Sequence, residues 1–368
     1  MLLCVFCSKD PRVTNKALTG IKVVDFSENL PGPYTSLWLA SLGAEVIKVE
    51  RPGGDPASRL DKLYQMLNHS KSVCSFDLSN GNDIDKVKDL ILSADVVLES
   101  FRPGTLKSLG VDFEALGEQN PKIIFCSISG YGQKGPWARR PAHDLNLQAM
   151  SGFSHLERKN KKAPGRTVLP IADLSASMLA VVRILGALLQ RERTGKGQFI
   201  DVAMVDLLYH WVQLWSQGTD PSQWLDGDKQ PGKLKQLMHG SLERLRLYVL
   251  PHYDFFSSKD GQLALGIVME QKFWRLLTEE LDRPFMKAFS LPMRVMSRQL
   301  VRQALGRRFQ HHRSSHWLEA LADVLPLSPV LTPQEAQDHE AMSQRPGVGI
   351  HSPGVPLDSD SGAEGRLL

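Results

Sequence analysis

The sequence predicts an α/β protein built on a doubly wound, Rossmann-like parallel sheet and joined to a second, smaller α+β domain. Short strand patterns rich in Val and Ile alternate with helical patterns through the first 216 residues. After a polar stretch, a separate group of strand and helix patterns begins near residue 247. Such alternation is typical of βαβ units, in which a crossover helix joins two parallel strands.

The first βαβ unit can be read directly from the chain. IKVVDF at residues 21–26 is short, β-branched and almost wholly apolar, which predicts a buried strand. NLPGP at 29–33 breaks the chain, and a helical face follows over 34–43. AEVIKVE then predicts the second strand, and RPGGD predicts a turn after it.

The alternation continues beyond this unit. SVCSFDL, ADVVLES and KIIFCSIS predict further strands, with helices expected around 84–92 and from about Thr105. Ligands of such sheets bind outside the carboxyl ends of the strands. Those ends carry the turns Glu50–Pro52, Glu99–Gly104 and Ser129–Gly135, so these turns are the first candidates for a binding site.

A strong helix is predicted over Asp173–Arg191, DLSASMLAVVRILGALLQR. Its apolar residues lie on nearly every side of the helix, which predicts a central, buried helix. Asp173 is placed to act as its N-cap. FIDVAMVD, after the turn ERTGKGQ, predicts a return to extended structure.

The pattern of elements divides the chain into segments. YVLPHYDFF, QLALGIV and a helix from about Gln271 open the smaller domain. The basic run RRFQHHR near its end is interpreted as a solvated helix face, with phosphate contact as the alternative. The segments are an extension at 1–18, a large domain at 19–216, a linker at 217–246, a small domain at 247–322, a return to the large domain at 323–346, and a disordered tail at 347–368.

Composition limits the classes of function. The 44 Lys and Arg barely exceed the 40 Asp and Glu, and no long basic block occurs, which favours a small anionic ligand over nucleic acid. No apolar run reaches the roughly 18 residues of a membrane span. Cys4 and Cys7 form a lone C-x-x-C, a poor zinc signal, so we expect no metal. The N-terminal residues leave the organelle open among mitochondrion, cytoplasm and peroxisome.

Four residues have both a structural and a functional interpretation. His143 precedes Asp144 in RRPAHDLNLQAMSG, where it is either a helix-start residue or a base aimed at a substrate. Asp173 is either an N-cap or a reactive carboxyl group. Arg51 and Arg102 both lie in R-P-G turns, where they either fix the turn or bind a phosphate.

No G-x-G-x-x-G follows the first strand, which argues against a dinucleotide site. Instead, LTGIKVVDFSENLPGPYTSLWLASLGAEVIKVERPGGD, VVLESFRPGTLKSLGV, SISGYGQKGPW, the His-Asp stretch and LPIADLSASMLAVVRILGALLQRERTGKGQFIDVAMVD occur in order. Together they resemble the family III CoA transferases (CaiB/BaiF type), and most of all the related alpha-methylacyl-CoA racemases. The resemblance implies an acyl-CoA ligand, an interlocked homodimer and no metal or organic cofactor.

The resemblance also implies roles for individual residues. His143 and Asp173 would exchange the α-proton of a 2-methylacyl-CoA, with Glu270 in support. The residues implied for the CoA and acyl path are Arg51, Phe76, Asp77, Leu78, Ser79, Arg102, Ala142, Asp144, Leu145, Asn146 and Leu147.

Racemase is the leading hypothesis, because transferases of this family often carry tyrosine where His143 stands. An imidazole and a carboxyl group of raised pKa on opposite sides of one carbon can remove and return its proton through an enolate. Backbone N–H groups at the start of the helix of Asp173 would stabilise that enolate. The alternatives are CoA transfer between carboxylic acids through an Asp173 acyl-enzyme, and an inactive CoA-binding homologue.

Overall fold

The computed structural model describes residues 16–157, 164–218 and 250–343. The chain forms two compact units, the first ending at Gln213 and the second beginning at Leu214. The predicted extension and linker lie almost wholly outside the described residues, and the predicted tail lies entirely outside them. Leu18, assigned to the extension, is buried in the core of the first unit.

The first unit contains the six-stranded parallel sheet that the alternation predicts, in the order β3-β2-β1-β4-β5-β6. Its strands are β1 Lys22–Asp25, β2 Glu45–Glu50, β3 Ser72–Ser75, β4 Val96–Glu99, β5 Ile124–Ser129 and β6 Phe199–Ala203. Strand β6 is shorter than FIDVAMVD predicts, because a helix already begins at Met204. The predicted fold class is confirmed.

Helices cover both faces of this sheet. They are α1 Pro31–Ser41, α2 Asp61–Asn68, α3 Gly81–Leu92, α4 Thr105–Ser108, α5 Phe113–Gln119, α6 Asp144–Met150, α7 Phe153–Leu156, α8 Ile171–Thr194 and α9 Met204–Gly218. One core joins α1 and α8 to the sheet, and a second core joins α3 and α5 to its other face. Both faces of the central strands are therefore covered, as their near-continuous apolar sequences require, whereas the edge strand β3 is largely exposed.

Helix α8 is not buried all round, which corrects the prediction for its apolar sequence. Ala176, Ala180 and Ile184 face the core, whereas Met178, Val182 and Leu189 are exposed. Among the described residues, α8 is the one helix long and apolar enough to cross a membrane. Its packing against the sheet accounts for that composition as a core helix with one uncovered apolar stripe.

The second unit contains a three-stranded antiparallel sheet in the order β7-β8-β9. Its elements are β7 Tyr253–Ser257, β8 Gln262–Gly266, α10 Gln271–Glu280, α11 Leu291–Met296, α12 Arg298–Phe309, α13 Ser314–Leu321, β9 Leu327–Pro329, α14 Pro333–Asp338 and α15 Glu340–Ser343. Strand β9 pairs with β8. The described part of 323–346 thus stays with the smaller unit instead of returning to the large domain, because its backbone partner is a strand of the small sheet.

A buried ion network holds the turns after β1 and β2 together. The Lys48 ammonium donates to Asp55 Oδ2 at 3.0 Å and to the Ser27 carbonyl at 2.7 Å. Asp55 Oδ1 accepts from the Asn29 backbone N–H at 3.0 Å. Gly32 allows the close approach of the chain, because an added Cβ would lie 2.0 Å from Ser27 Cβ. The network therefore determines the shape of the turn that carries Arg51.

We expect Lys48→Met to lower the free energy of unfolding by about 3–5 kcal/mol, because it leaves the Asp55 carboxylate buried without its cation. Urea denaturation measures this loss. Lys88→Met is the matched control, since the Lys88 ammonium is exposed and its ion pair with Asp85 spans 3.7 Å; its effect should stay within about 0.5 kcal/mol. Equal effects of the two substitutions would contradict a structural role for the network.

Candidate active site

The carboxyl edge of the parallel sheet brings together most of the predicted site residues. Strand β1 lies between β2 and β4, so the chain leaves the sheet in opposite directions on either side of it. Arg51 follows β2 and Arg102 follows β4. The two arginines therefore flank the switch point of the sheet, where doubly wound folds bind their ligands.

Arg51 is an exposed cation on a fixed turn. Its Nε lies 3.2 Å from Glu28 Oε1 on the turn after β1. Partial burial raises the pKa of Glu28, although Arg51 opposes the shift. The exposed guanidinium retains N–H groups for an anion such as a phosphate.

The turn that carries Arg102 is anchored by a buried carboxyl group. Glu99 Oε2 accepts from the Phe101 N–H at 2.6 Å, and Ser127 Oγ donates to Glu99 Oε1. Gln133 Nε2 donates to Ser127 Oγ at 2.7 Å, which ties in the loop after β5. Burial raises the pKa of Glu99 to about 7. This network was not predicted, since a glutamate at a strand end carries no local signal of burial.

The segment from Phe76 to Ser79 follows β3 on the same edge. The Phe76 and Leu78 side chains pack partly into the core. Asp77 Oδ1 accepts from the Ser79 N–H at 2.9 Å and from its hydroxyl at 2.6 Å, and these bonds hold the pKa of Asp77 below its usual range. Asp77 thus shapes its own turn.

His143 lies immediately before α6 and is exposed. Its backbone N–H donates to Asn146 Oδ1 at 3.0 Å, a bond that helps to start the helix. Leu147 is fully buried, while Leu145 is half exposed. Gly130 at the end of β5 lets this segment approach, because an added Cβ would lie 2.8 Å from Ala142 Cβ.

Asp144 joins the start of α6 to the start of α8. Its Oδ1 accepts from the Ala172 N–H at 2.7 Å, and its Oδ2 accepts from Gln148 Nε2 at 2.5 Å. Both carboxylate oxygens are thus engaged within the protein. The bond to Ala172 places the helix start that carries His143 beside the residue that precedes Asp173.

Asp173 is the third residue of α8 and not its N-cap, which corrects the prediction. The helix begins at Ile171 after Pro170, whose fixed backbone suits a helix start. Among the described residues, no donor bonds to the Asp173 carboxyl group. Burial raises its pKa to about 7, and the nearby Asp144 charge adds to the shift.

The expected set of N–H donors at the start of α8 is reduced. The Ala172 N–H is taken by Asp144, and the Leu174 N–H bonds to the Pro170 carbonyl at 3.0 Å. The N–H groups of Ile171 and Asp173 make no such bond within the described residues. They remain as the candidate donors to an oxyanion.

Glu270 lies in the second unit. It immediately precedes α10, and its Oε2 accepts from the Val268 N–H at 2.9 Å. Backbone N–H groups hold the pKa of Glu270 below its usual range. The carboxylate is therefore charged and exposed.

Two buried residues of the second unit, His252 and Arg294, contact the residues on either side of Glu270. Neither was predicted as a site residue. His252 Nδ1 contacts the Ile267 carbonyl at 2.9 Å, and Arg294 Nη2 donates to Gln271 Oε1 at 2.7 Å. Arg294 Nη1 lies 3.1 Å from His252 Nε2. Burial lowers the pKa of His252 to about 4, so its neutral ring can accept this bond. No motif marks either residue in the sequence.

The fold and the site together define a class of protein. It is a doubly wound α/β protein with arginines at the switch point of its sheet and a desolvated carboxyl group at the start of a core helix. The CoA-transferase family III model matches residues 18–353. The chain belongs to that family, which confirms the family resemblance.

Relatives and solved structures agree with this assignment. The chain is 33% identical over 316 residues to succinyl-CoA:glutarate CoA-transferase of Mus musculus, covering 82% of this chain and 69% of the relative. It is 30% identical over 337 residues to succinyl-CoA:mesaconate CoA-transferase of Haloarcula hispanica, covering 85% and 80%. A CaiB/BaiF family protein from Brucella suis superposes with a TM-score of 0.75 at 27% identity, covering 90% and 88%.

We expect Asp173→Asn to stabilise the protein at about pH 8 by on the order of 2 kcal/mol, because the charged carboxylate is desolvated there. The folded-state pKa lies above the reference value of 3.8, so the folded state binds an extra proton between these values. The stability of the wild type should therefore fall as pH rises from about 4 through 7. Denaturant unfolding across this range measures the slope.

The control is Asp89→Asn, which removes an exposed carboxylate from α3. It should change the stability by less than about 0.5 kcal/mol at either pH. If Asp173→Asn followed the same pH profile as the wild type, the carboxyl group would not be desolvated as described.

Proposed function

We propose that this protein transfers CoA between carboxylic acids, with Asp173 as the nucleophile and without a metal or organic cofactor. The observation that carries the proposal is the desolvated Asp173 carboxyl group at the start of α8, which no donor among the described residues stabilises. A carboxylate without hydrogen bonds or full hydration is a stronger nucleophile than one in water.

The reaction would proceed in steps that balance. The Asp173 carboxylate attacks the thioester carbonyl of the donor, and the C–S bond breaks to give an acyl-aspartyl anhydride and the CoA thiolate. The thiolate attacks the Asp173 carbonyl of the anhydride, which releases the first acid and leaves an aspartyl-CoA thioester. The second acid attacks this thioester and repeats the sequence in reverse, so that Asp173 is regenerated.

The surroundings of Asp173 support this chemistry. The N–H groups of Ile171 and Asp173 at the positive end of α8 suit the oxyanion formed at each attack. Arg51 and Arg102 would bind phosphate groups of CoA at the switch point. The segments 76–79 and 142–147 would line the rest of the CoA and acyl path.

The names of the relatives support transfer over racemisation. The relatives named above act between succinyl-CoA and glutarate or mesaconate, and another, from Acetobacter aceti, is an acetyl-CoA:oxalate CoA-transferase. Each of these acceptors is a dicarboxylic acid. We therefore extend the proposal to dicarboxylic acids as acceptors.

A racemase remains the second candidate, and His143 is the observation that favours it. The imidazole is exposed at the start of α6, next to the residue that contacts the start of α8. With Asp173, it would exchange the α-proton of a 2-methylacyl-CoA, and Glu270 would support it from the second unit. The raised pKa of Asp173 suits proton transfer near neutral pH.

We also propose that the protein is a homodimer. The exposed residues Met178, Val182 and Leu189 recur along one side of α8. An apolar stripe left uncovered along a helix often marks a protein–protein contact.

With succinyl-CoA and glutarate, we expect the wild type to form glutaryl-CoA. Asp173→Asn should slow this by at least about a thousandfold, since removal of a covalent nucleophile has effects of that size or larger. Hydroxylamine should trap the acyl-enzyme as a hydroxamate on the peptide that carries Asp173. Mass spectrometry identifies that peptide, and Asp89→Asn, which lies outside the site, is the control with unchanged rate.

The same preparation tests the second candidate. A racemase would incorporate deuterium from heavy water at the α-carbon of a 2-methylacyl-CoA, would lose this exchange on His143→Ala, and would give no hydroxamate. Exchange without transfer would replace the first proposal by the second. If the protein bound CoA but showed neither acyl transfer nor α-proton exchange, the hypothesis of an inactive CoA-binding homologue would remain.

For the dimer, we expect Val182→Asp to shift the mass measured by light scattering from dimer to monomer, because it places a charge in an apolar contact. Leu60→Asp, which changes an exposed leucine on the turn after β2, should leave the dimer intact. A wild type that is monomeric at micromolar concentration would contradict the proposal.

A further inference from the structure

We propose that Arg140 binds the free carboxylate of a dicarboxylic acyl group and so determines substrate preference. This inference rests on the proposed function, since it concerns the acyl side of the same site. Arg140 belongs to the loop between β5 and α6, three residues before His143. No sequence motif singled it out.

The guanidinium of Arg140 lies over an aromatic ring. Its Cζ lies 3.9 Å from the centroid of the Trp137 ring. Trp137 in turn packs edge-to-face on Tyr131, with centroids 5.3 Å apart, and Tyr131 packs against the first core. The Arg140 N–H also donates to the Trp137 carbonyl at 2.8 Å, which closes the turn. A chain of contacts thus runs from the core to the charged group.

This contact leaves the binding edge of the arginine available. A guanidinium over an indole uses its face, while its N–H groups point outward in its plane. Among the described residues, no carboxylate lies within ion-pair distance of Arg140, and the side chain is exposed. A planar fork of N–H donors held in this way matches a carboxylate in a bidentate arrangement.

The charges around Asp173 show why a dicarboxylic substrate needs such a group. Asp144 already raises the pKa of Asp173 by its negative charge. A second carboxylate carried in by the substrate would add to this repulsion unless a cation received it. Arg140 lies four residues before Asp144, on the loop that leads into α6. We assign it as the cation that receives the added carboxylate.

Two neighbouring arginines provide a contrast. Arg139 and Arg166 are also exposed in this part of the chain, but of the described cations in the first unit only Arg140 lies over an aromatic ring. An unrestrained arginine loses more conformational freedom on binding a carboxylate. We therefore assign the role to Arg140 and use Arg139 as the matched control.

The test is a calorimetric comparison of glutaryl-CoA with butyryl-CoA, which lacks the terminal carboxylate. It measures binding and needs no turnover. We expect the wild type to bind glutaryl-CoA about 10- to 100-fold more tightly, the range for a hydrogen-bonded ion pair. Arg140→Gln should abolish this preference and leave the Kd for butyryl-CoA within about twofold. Arg140→Lys should keep part of the preference, and Arg139→Gln nearly all of it.

Three results would overturn the assignment. The first is equal binding of both thioesters by the wild type. The second is an equal loss of affinity for both thioesters in Arg140→Gln, as expected for a contact with a CoA phosphate. The third is loss of the preference in Arg139→Gln as complete as in Arg140→Gln. A preference for glutaryl-CoA without any acyl transfer would refute the proposed function and leave the role of Arg140 standing. Acyl transfer without this preference would refute the role of Arg140 and leave the proposed function standing.

Discussion

The contact between the Asp144 carboxylate and the Ala172 N–H is the interaction on which the candidate site depends. It joins the start of α6 to the start of α8 at 2.7 Å, and each helix start carries one of the two reactive candidates. Because both oxygens of Asp144 are engaged, its negative charge is fixed close to Asp173. The same bond therefore sets the position of the site and contributes to its electrostatics.

Two kinds of buried charge lie along the carboxyl edge of the sheet. Lys48 and Asp55 compensate each other fully, and they shape the turn of Arg51. Glu99 and Asp173 have no cation within ion-pair distance among the described residues, and burial raises the pKa of both to about 7. The Lys48–Asp55 pair thus stabilises the fold. Of the two unpaired carboxyl groups, Glu99 bonds to a turn, and Asp173 is the candidate reactive group. Uncompensated burial lowers stability, as functional sites often do.

The sequence predicted what depends on local pattern and missed what depends on distant partners. Each strand of the parallel sheet followed from short apolar runs such as IKVVDF, and the family followed from motifs in order. The N-cap prediction for Asp173 was wrong because α8 begins two residues earlier, at Ile171 after Pro170. The exposed stripe of α8 and the pairing of β9 with β8 are tertiary features. The periodicity of apolar residues in the sequence does not determine them. The contact of Arg140 with Trp137 was missed because a turn of unknown shape separates them.

A single desolvated carboxyl group can serve both chemistries that this scaffold suggests. In transfer, the Asp173 carboxylate attacks the carbonyl carbon of a thioester; in racemisation, it removes a proton from the neighbouring carbon. The two atoms are one bond apart, so a small change in the position of the acyl group decides between the reactions. A terminal carboxylate held by Arg140 would fix that position at the far end of the acyl chain. Substrate recognition and choice of reaction would then follow from the same ion pair, because an acyl group anchored at both ends has little freedom to present its α-carbon instead of its carbonyl.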